Sequence, residues 1–299
     1  MIDYHVHLWP HAERADESEL ALERLAAYTE QAASNGVGEI ALTEHFFRFT
    51  KARAVVEGWW DRLETGGEPT DHVVRYFDHH ATAEIDRYVE TVELAKSAGL
   101  PVVAGLEVDY YPGQMDEVAR FLADYPFDVL LGSVHWIGLW LFDVLEDAYA
   151  QRRWESASID QVWRSYTEAI EELAATGACD VLAHPDLVKI GRRYPGQSLL
   201  DECEARIAEA AARSGVAAEI SAAGRRKAGE DYPSPQLLRR FFEAGVPVTF
   251  ASDAHGPALV GERNGELVAA ARRAGYSSVM TFRAREGSEL PLGQPEAEP

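Results

Sequence analysis

Histidines and carboxylates of this chain collect in a few short motifs. These are His5-Val6-His7, Thr43-Glu44-His45, Gly105-Leu106-Glu107-Val108-Asp109, Ser133-Val134-His135-Trp136, Ala183-His184-Pro185-Asp186 and Ser252-Asp253-Ala254-His255. Six of the ten histidines fall in them. Each motif follows a short apolar run, where a strand would end. His5 and His7 are two apart, and side chains at that spacing leave the same face of a strand. One strand can therefore offer two imidazoles to one ion. Asp253 and His255 repeat the spacing near the far end of the chain. Imidazole with carboxylate and no thiolate suits Zn, Mn or Fe. A lone histidine at a strand end is ordinarily a surface or hydrogen-bonded residue. Six of them at five strand ends read as a ligand set. Glu107 closes an apolar strand, where an unpaired buried carboxylate is expensive.

The elements that must carry these motifs alternate. Strands are expected at Ile2–His7, Glu39–Thr43, Val102–Glu107, Asp128–Ser133, Asp180–His184, Ala217–Ser221 and Pro247–Ser252, with a last one at Ser278–Phe282. Helices are expected at Glu17–Asn35, Ala83–Ala98, Ile159–Thr176, Leu200–Ser214, Pro235–Ala244 and Glu266–Ala274, the first closed by Gly36 and the second by Gly99. Strand-then-helix alternation predicts a parallel sheet, and at 299 residues an α/β barrel. The C-terminal strand ends of such a barrel share one mouth, which would gather all six motifs. Residues 46–80 show no clear periodicity, contain Gly66-Gly67 and Pro69, and read as an insertion or lid. The barrel is assigned to residues 1–285. Residues 286–299, Pro/Glu-rich from Pro291, are expected to be a disordered tail.

Composition removes several classes. With 28 Lys+Arg against 50 Asp+Glu the net charge is −22, a field that repels nucleic acid and anionic membrane. Neither is an expected partner. The two cysteines form no CxxC and no disulfide scaffold. The N-terminal MIDYHVHLWPH has no basic n-region or long apolar run, and no stretch approaches the ~18 apolar residues of a membrane span. The expected compartment is the cytoplasm. Gly36-Val37-Gly38-Glu39-Ile40-Ala41 matches GxGxxA but precedes a strand, the wrong order for a dinucleotide site. Walker A, GxSxG and EF-hand patterns are absent. Nothing in the sequence sets the oligomeric state.

The six motifs, in this order, resemble those of the PHP (polymerase and histidinol phosphatase) family, from residue 2 to about residue 283. The strings at 105–113 (GLEVDYYPG), 132–136 (GSVHW) and 183–189 (AHPDLVK) resemble its stand-alone histidinol-phosphatase branch. The resemblance implies a distorted (β/α)7 TIM-like barrel, three divalent metal ions and hydrolysis of L-histidinol phosphate. It also implies a ligand set. His5, His7, Glu107 and Asp253 would hold one ion. Glu107, His135 and His184 would hold a second. His45, His255 and a residue of the first loop would hold a third. That residue is His11 if the loop is two residues shorter than usual, with Glu13 and His80 as alternatives.

Such ions would activate a water for in-line attack and neutralise the ester's charge. The catalytic set is Asp253, His255 and Arg226. Asp253 or a metal-bound water is the candidate proton donor to the leaving alkoxide. Arg226, in Arg225-Arg226-Lys227 after the sixth strand, is the expected phosphate contact, ahead of the cluster Lys189, Arg192 and Arg193. The expected partner is a small phosphorylated substrate. Asp109, Tyr110, Tyr111 and Trp136 are candidates for holding its amino-alcohol part. The alternatives are a PHP-type esterase acting on another small phosphate ester, or an amidohydrolase-like metal hydrolase. The latter ordinarily needs a bridging carboxylated lysine, and no lysine adjoins Glu107.

Overall fold

In a computed structural model, which describes residues 1–63 and 67–293, the apolar runs become the parallel staves of a barrel. The first four are β1 (Ile2–Val6), β2 (Glu39–Leu42), β3 (Val102–Asp109) and β4 (Val129–Ser133). A small hairpin of β5 (Trp136–Ile137) and β6 (Trp140–Leu141) follows. The last three staves are β7 (Val181–Leu182), β8 (Ala217–Ser221) and β9 (Val248–Ala251). The sheet order is β1-β2-β3-β4-β7-β8-β9, every neighbouring pair parallel. The ring is completed between its first and last strands: the His7 N–H donates to the Ala254 carbonyl at 2.7 Å, and Val6 pairs with Ala254. The expected (β/α)7 architecture is therefore the one found. The near-continuous burial of each strand explains why they read as apolar runs and not as alternating ones.

Helices cover the outside, each through one apolar stripe. In α1 (Leu22–Ser34) the buried positions are Leu25, Tyr28, Thr29 and Ala32, the spacing of a single helical face. Gly36 follows at φ +74°, a left-handed position that ends the helix. Close approach of staves also constrains sequence. A Cβ on Gly105 would meet the Thr43 Cγ2 and the Val129 carbonyl at 2.9 Å, so β3 can lie between β2 and β4 only without one. None of the helices among the described residues is long and apolar enough to cross a membrane.

Two expectations are corrected. Residues 46–80 are not irregular: they form α2 (Thr50–Val56), α3 (Trp59–Arg62) and α4 (Glu68–His80). In α4 Val73, Phe77 and His80 are buried at i, i+4 and i+7, a periodicity hidden by the glycines and Pro69 before it. Pro69 is no obstacle, because the first turn of a helix needs no N–H there. Gly66 lies outside the described residues. The second correction concerns the C-terminal stretch. Glu286–Pro291 forms β11, paired antiparallel with β10 (Ser278–Arg283) along its length. The last strand thus leaves the barrel for a separate hairpin. Of the expected tail, residues 294–299 lie outside the described residues.

Candidate metal centre

Five histidines surround one carboxylate. Glu107 Oε2 lies 3.2 Å from His5 Nε2, 3.5 Å from His7 Nε2 and 2.8 Å from His45 Nδ1. Its other oxygen, Oε1, lies 3.0 Å from His184 Nε2 and 3.4 Å from His135 Nε2. Asp253 Oδ1 is 3.6 Å from His7 Nε2 and 3.4 Å from His255 Nδ1. The rings of His45 and His255 each stack on His7 at 4.2 Å. Residues 250 positions apart, from His5 to His255, thus share one barrel mouth. Their ligand atoms fall into three groups, each within 4.8 Å: His5, His7 and Asp253; Glu107, His135 and His184; His7, His45 and His255.

Of the first-loop candidates, His11 is the one beside this cluster, its ring 5.4 Å from His45 and 5.7 Å from His255. Glu13 is exposed. His80 sits farther out, 6.5 Å from His11 and packed on Tyr76 at 4.4 Å. Thus α4 caps the mouth with aromatic rings. His79 is exposed, and His72 packs on Tyr149 and Trp136 away from the cluster.

The cluster is in a state that only additional partners could satisfy. His5 Nε2, both nitrogens of His7 and of His45, Glu107 Oε2, His184 Nδ1 and His255 Nε2 are buried without a hydrogen-bond partner. Each unsatisfied buried polar atom costs about 1–3 kcal/mol. So many converging on one point is a poor design for anything except ion binding. Burial, aided by neighbouring histidines and Lys227, drives His45 and His255 well below their usual range and His11 down to about 3. These imidazoles are therefore neutral, the form that ligates a metal. Burial opposes charge on Glu107, yet His45, His5 and His135 hold its carboxyl well below the ordinary value.

An outer ring of residues aims the inner ones. Glu219 Oε2 accepts from His5 Nδ1 at 2.8 Å, while Oε1 takes the His184 N–H at 2.7 Å. Asp109 holds His135 Nδ1, and itself accepts from the Tyr111 hydroxyl at 3.0 Å and from Ser133 Oγ at 3.3 Å. Burial disfavours charge on His135, but Asp109, Asp143 and Glu107 push it up to about 10. Glu44 takes the backbone N–H groups of Leu8 and Trp9, with Arg48 Nε 3.4 Å away, and so shapes the turn after β1. Carboxylates behind imidazoles fix tautomer and ring orientation. Sequence reasoning missed Glu219. Its signal was a single carboxylate inside the apolar run of β8.

Two cluster residues adopt left-handed backbone conformations, His184 at φ +28° and Asp253 at φ +52°. Such strain persists only where surrounding bonds enforce it. The His184 carbonyl accepts from the Leu187 N–H at 2.9 Å and the Tyr166 hydroxyl at 3.2 Å. The Asp253 carbonyl accepts from Arg226 at 3.0 Å.

That last bond gives Arg226 a structural role beside the site. Its guanidinium donates to the carbonyls of Ser252, at 2.9 Å, and Asp253, and pairs with Glu262. It positions the loop that carries Asp253 and His255. The next residue does more at the site: Lys227 Nζ lies 2.6 Å from Asp253 Oδ2. Burial opposes charge on Asp253 as well, but Lys227 together with His5, His255 and His7 holds the carboxyl well below its usual range. The second basic cluster is elsewhere. Lys189 is buried against Asp186 at 2.7 Å, and Arg193 donates to the Trp154 carbonyl. The residues expected to hold the amino alcohol are mostly occupied too. Asp109 and Tyr111 bond to each other, the Tyr110 hydroxyl turns to Glu172 at 2.6 Å, and Trp136 packs on Trp59, Tyr76 and His72.

The PHP domain model matches residues 11–223, more than half of the chain. The chain belongs to the PHP domain family. That span contains His45, Glu107, His135 and His184, while His5, His7, Asp253 and His255 lie outside it. Among curated proteins, a Deinococcus radiodurans protein named "probable histidinol-phosphatase" is 34% identical over 201 residues, 66% of this chain and 74% of that protein. Among solved structures, a histidinol phosphate phosphatase from Lactococcus lactis, complexed with zinc, L-histidinol and phosphate, shares the fold. It aligns at a TM-score of 0.67 and 20% identity, covering 96% of this chain and 98% of that one.

Proposed function

We propose that the chain is a metal-dependent phosphomonoesterase that hydrolyses L-histidinol phosphate to L-histidinol and phosphate, a step of histidine biosynthesis. The observation that carries the metal-dependent part is the convergence of orphaned imidazole nitrogens on Glu107. The substrate rests on the kinship with the Deinococcus protein and its name.

The donor set fits three divalent ions. His5, His7, Glu107 and Asp253 would hold one, Glu107, His135 and His184 the second, and His45, His255 and His11 the third. Imidazole and carboxylate suit zinc, with manganese and iron as competitors. Bound there, such ions would neutralise phosphoryl oxygens and bring the pKa of water toward neutrality. The protein's own contribution is placement. Glu107 divides its two oxygens between two groups of histidines, the arrangement of a bridging ligand. Glu219 and Asp109 fix which nitrogens of His5 and His135 face inward. Lys227 keeps Asp253 ionised, which suits a ligand and not a proton donor. It also places a cation beside a cavity of about 350 Å³ lined in part by His11, Arg226, Lys227 and His255. An amidohydrolase-like mechanism finds no bridging lysine here, because Glu107 occupies the centre.

A panel of esters tests the reading. On metal-replete protein, L-histidinol phosphate should show a kcat/KM at least about tenfold above that of p-nitrophenyl phosphate and of simple sugar phosphates. Equal rates across the panel would reduce the activity to that of a general phosphomonoesterase.

A further inference from the structure

One carboxylate at the mouth has no partner among the described residues. Asp143 follows the β5–β6 hairpin in the connection after β4, and it lines the same cavity as His11, Lys227 and His255. Its Oδ1 is shielded from solvent and accepts no hydrogen bond among the described residues. Its backbone is fixed. The N–H of neighbouring Phe142 donates to the His135 carbonyl at 3.1 Å, and the Phe142 carbonyl accepts from Trp154 Nε1 at 2.8 Å. The Phe142 ring is buried against Tyr166 and Trp154. Asp143 is therefore held in register with His135, and so with the cluster.

The neighbouring carboxylates are all engaged. Glu107 faces the histidines, Asp109 holds His135, Asp253 holds Lys227, Glu219 holds His5, and Asp186 holds Lys189. Glu146 also lines the cavity but is exposed, so water screens it. A solvent-shielded acceptor oxygen on a half-buried side chain that lines a substrate cavity calls for a donor from the substrate. The cavity is bipolar, with Lys227 contributing positive charge and Asp143 negative. Such a cavity complements a zwitterion whose phosphate and cationic nitrogen are a few bonds apart.

We propose that Asp143 is the specificity-determining residue of the site: its Oδ1 accepts an N–H from the ammonium of an amino-alcohol phosphate while the phosphate lies toward the cluster and Lys227. The inference rests on the phosphomonoesterase reading above and replaces Asp109 as the carboxylate that selects the substrate. A buried acceptor discriminates strongly, because an analogue without the donor leaves it unsatisfied.

The test compares kcat/KM for L-histidinol phosphate with that for its desamino analogue, in which hydrogen replaces the amine. Wild-type protein should prefer the amine-bearing ester by about 100-fold. In Asp143→Asn, which keeps the volume and removes the charge, that ratio should collapse to within a few-fold. A ratio preserved in Asp143→Asn, or lost instead in Glu146→Gln, overturns the assignment. If Asp143→Asn does not fold, Asp143→Ser is read in the same way, and the wild-type comparison can by itself overturn the assignment. A wild-type ratio near one also overturns the assignment, while leaving the phosphatase reading intact. Absence of phosphate release from any ester by metal-replete protein would instead overturn the phosphatase reading on which the assignment rests.

Discussion

Glu107→Gln is expected to lower phosphatase kcat/KM by about 10³-fold or more, with bound metal falling in parallel. Glu107 is the one side chain that faces five histidines at once. Glutamine keeps its shape but loses the charge and one acceptor oxygen. The set with His135 and His184 would then lose its only anionic member, and the set with His5 and His7 would keep Asp253 alone. The substitution leaves the apolar core untouched, so far-UV circular dichroism should be that of the parent. Metal analysis read beside activity separates this account from a fold defect. A variant that keeps its metal and its activity would show that Glu107 is not a bridging ligand.

The second large effect is on stability. Without ions, the cluster leaves at least six buried polar atoms unsatisfied, among them His5 Nε2, His7 Nε2, His45 Nε2, Glu107 Oε2, His184 Nδ1 and His255 Nε2. Ions bind the folded arrangement and not the unfolded chain. A site at roughly 1,000 times its Kd adds about 4 kcal/mol. At about 2–4 °C per kcal/mol for a domain of this size, chelation should lower the unfolding midpoint by about 10 °C or more. In His7→Ala most of that difference should vanish, because His7 belongs to two of the ligand groups. Calorimetry with and without chelator reads both numbers. Identical midpoints for loaded and stripped wild-type protein would contradict ion binding at the cluster.

The candidate ligands were legible because their signal is local. His5 and His7 announce themselves by period-two spacing, and Glu107, His135, His184 and Asp253 by falling where apolar strands end. Helical segments were legible where one face carried the apolar residues, as in α1. The unread parts depend on long-range geometry. Residues 46–80 looked irregular because short helices α2 and α3 offer too few turns to show a period. Choosing between Arg226 and Lys227 was beyond sequence. On a helix one step turns a side chain by about 100°, and that step decides which cation reaches Asp253 and which reaches backbone carbonyls. Asp143 had no motif at all. Its significance lies in what it does not bond to, and that is visible only once every neighbouring carboxylate has been paired.

The central claim is that this mouth hydrolyses L-histidinol phosphate through ions held by the cluster. The most direct measurement strips the protein of metal, adds zinc or manganese back in known increments, and follows phosphate release from L-histidinol phosphate. The account predicts no release above background from stripped protein, and recovery that levels off near three ions per chain. Undiminished turnover by metal-free protein would contradict it.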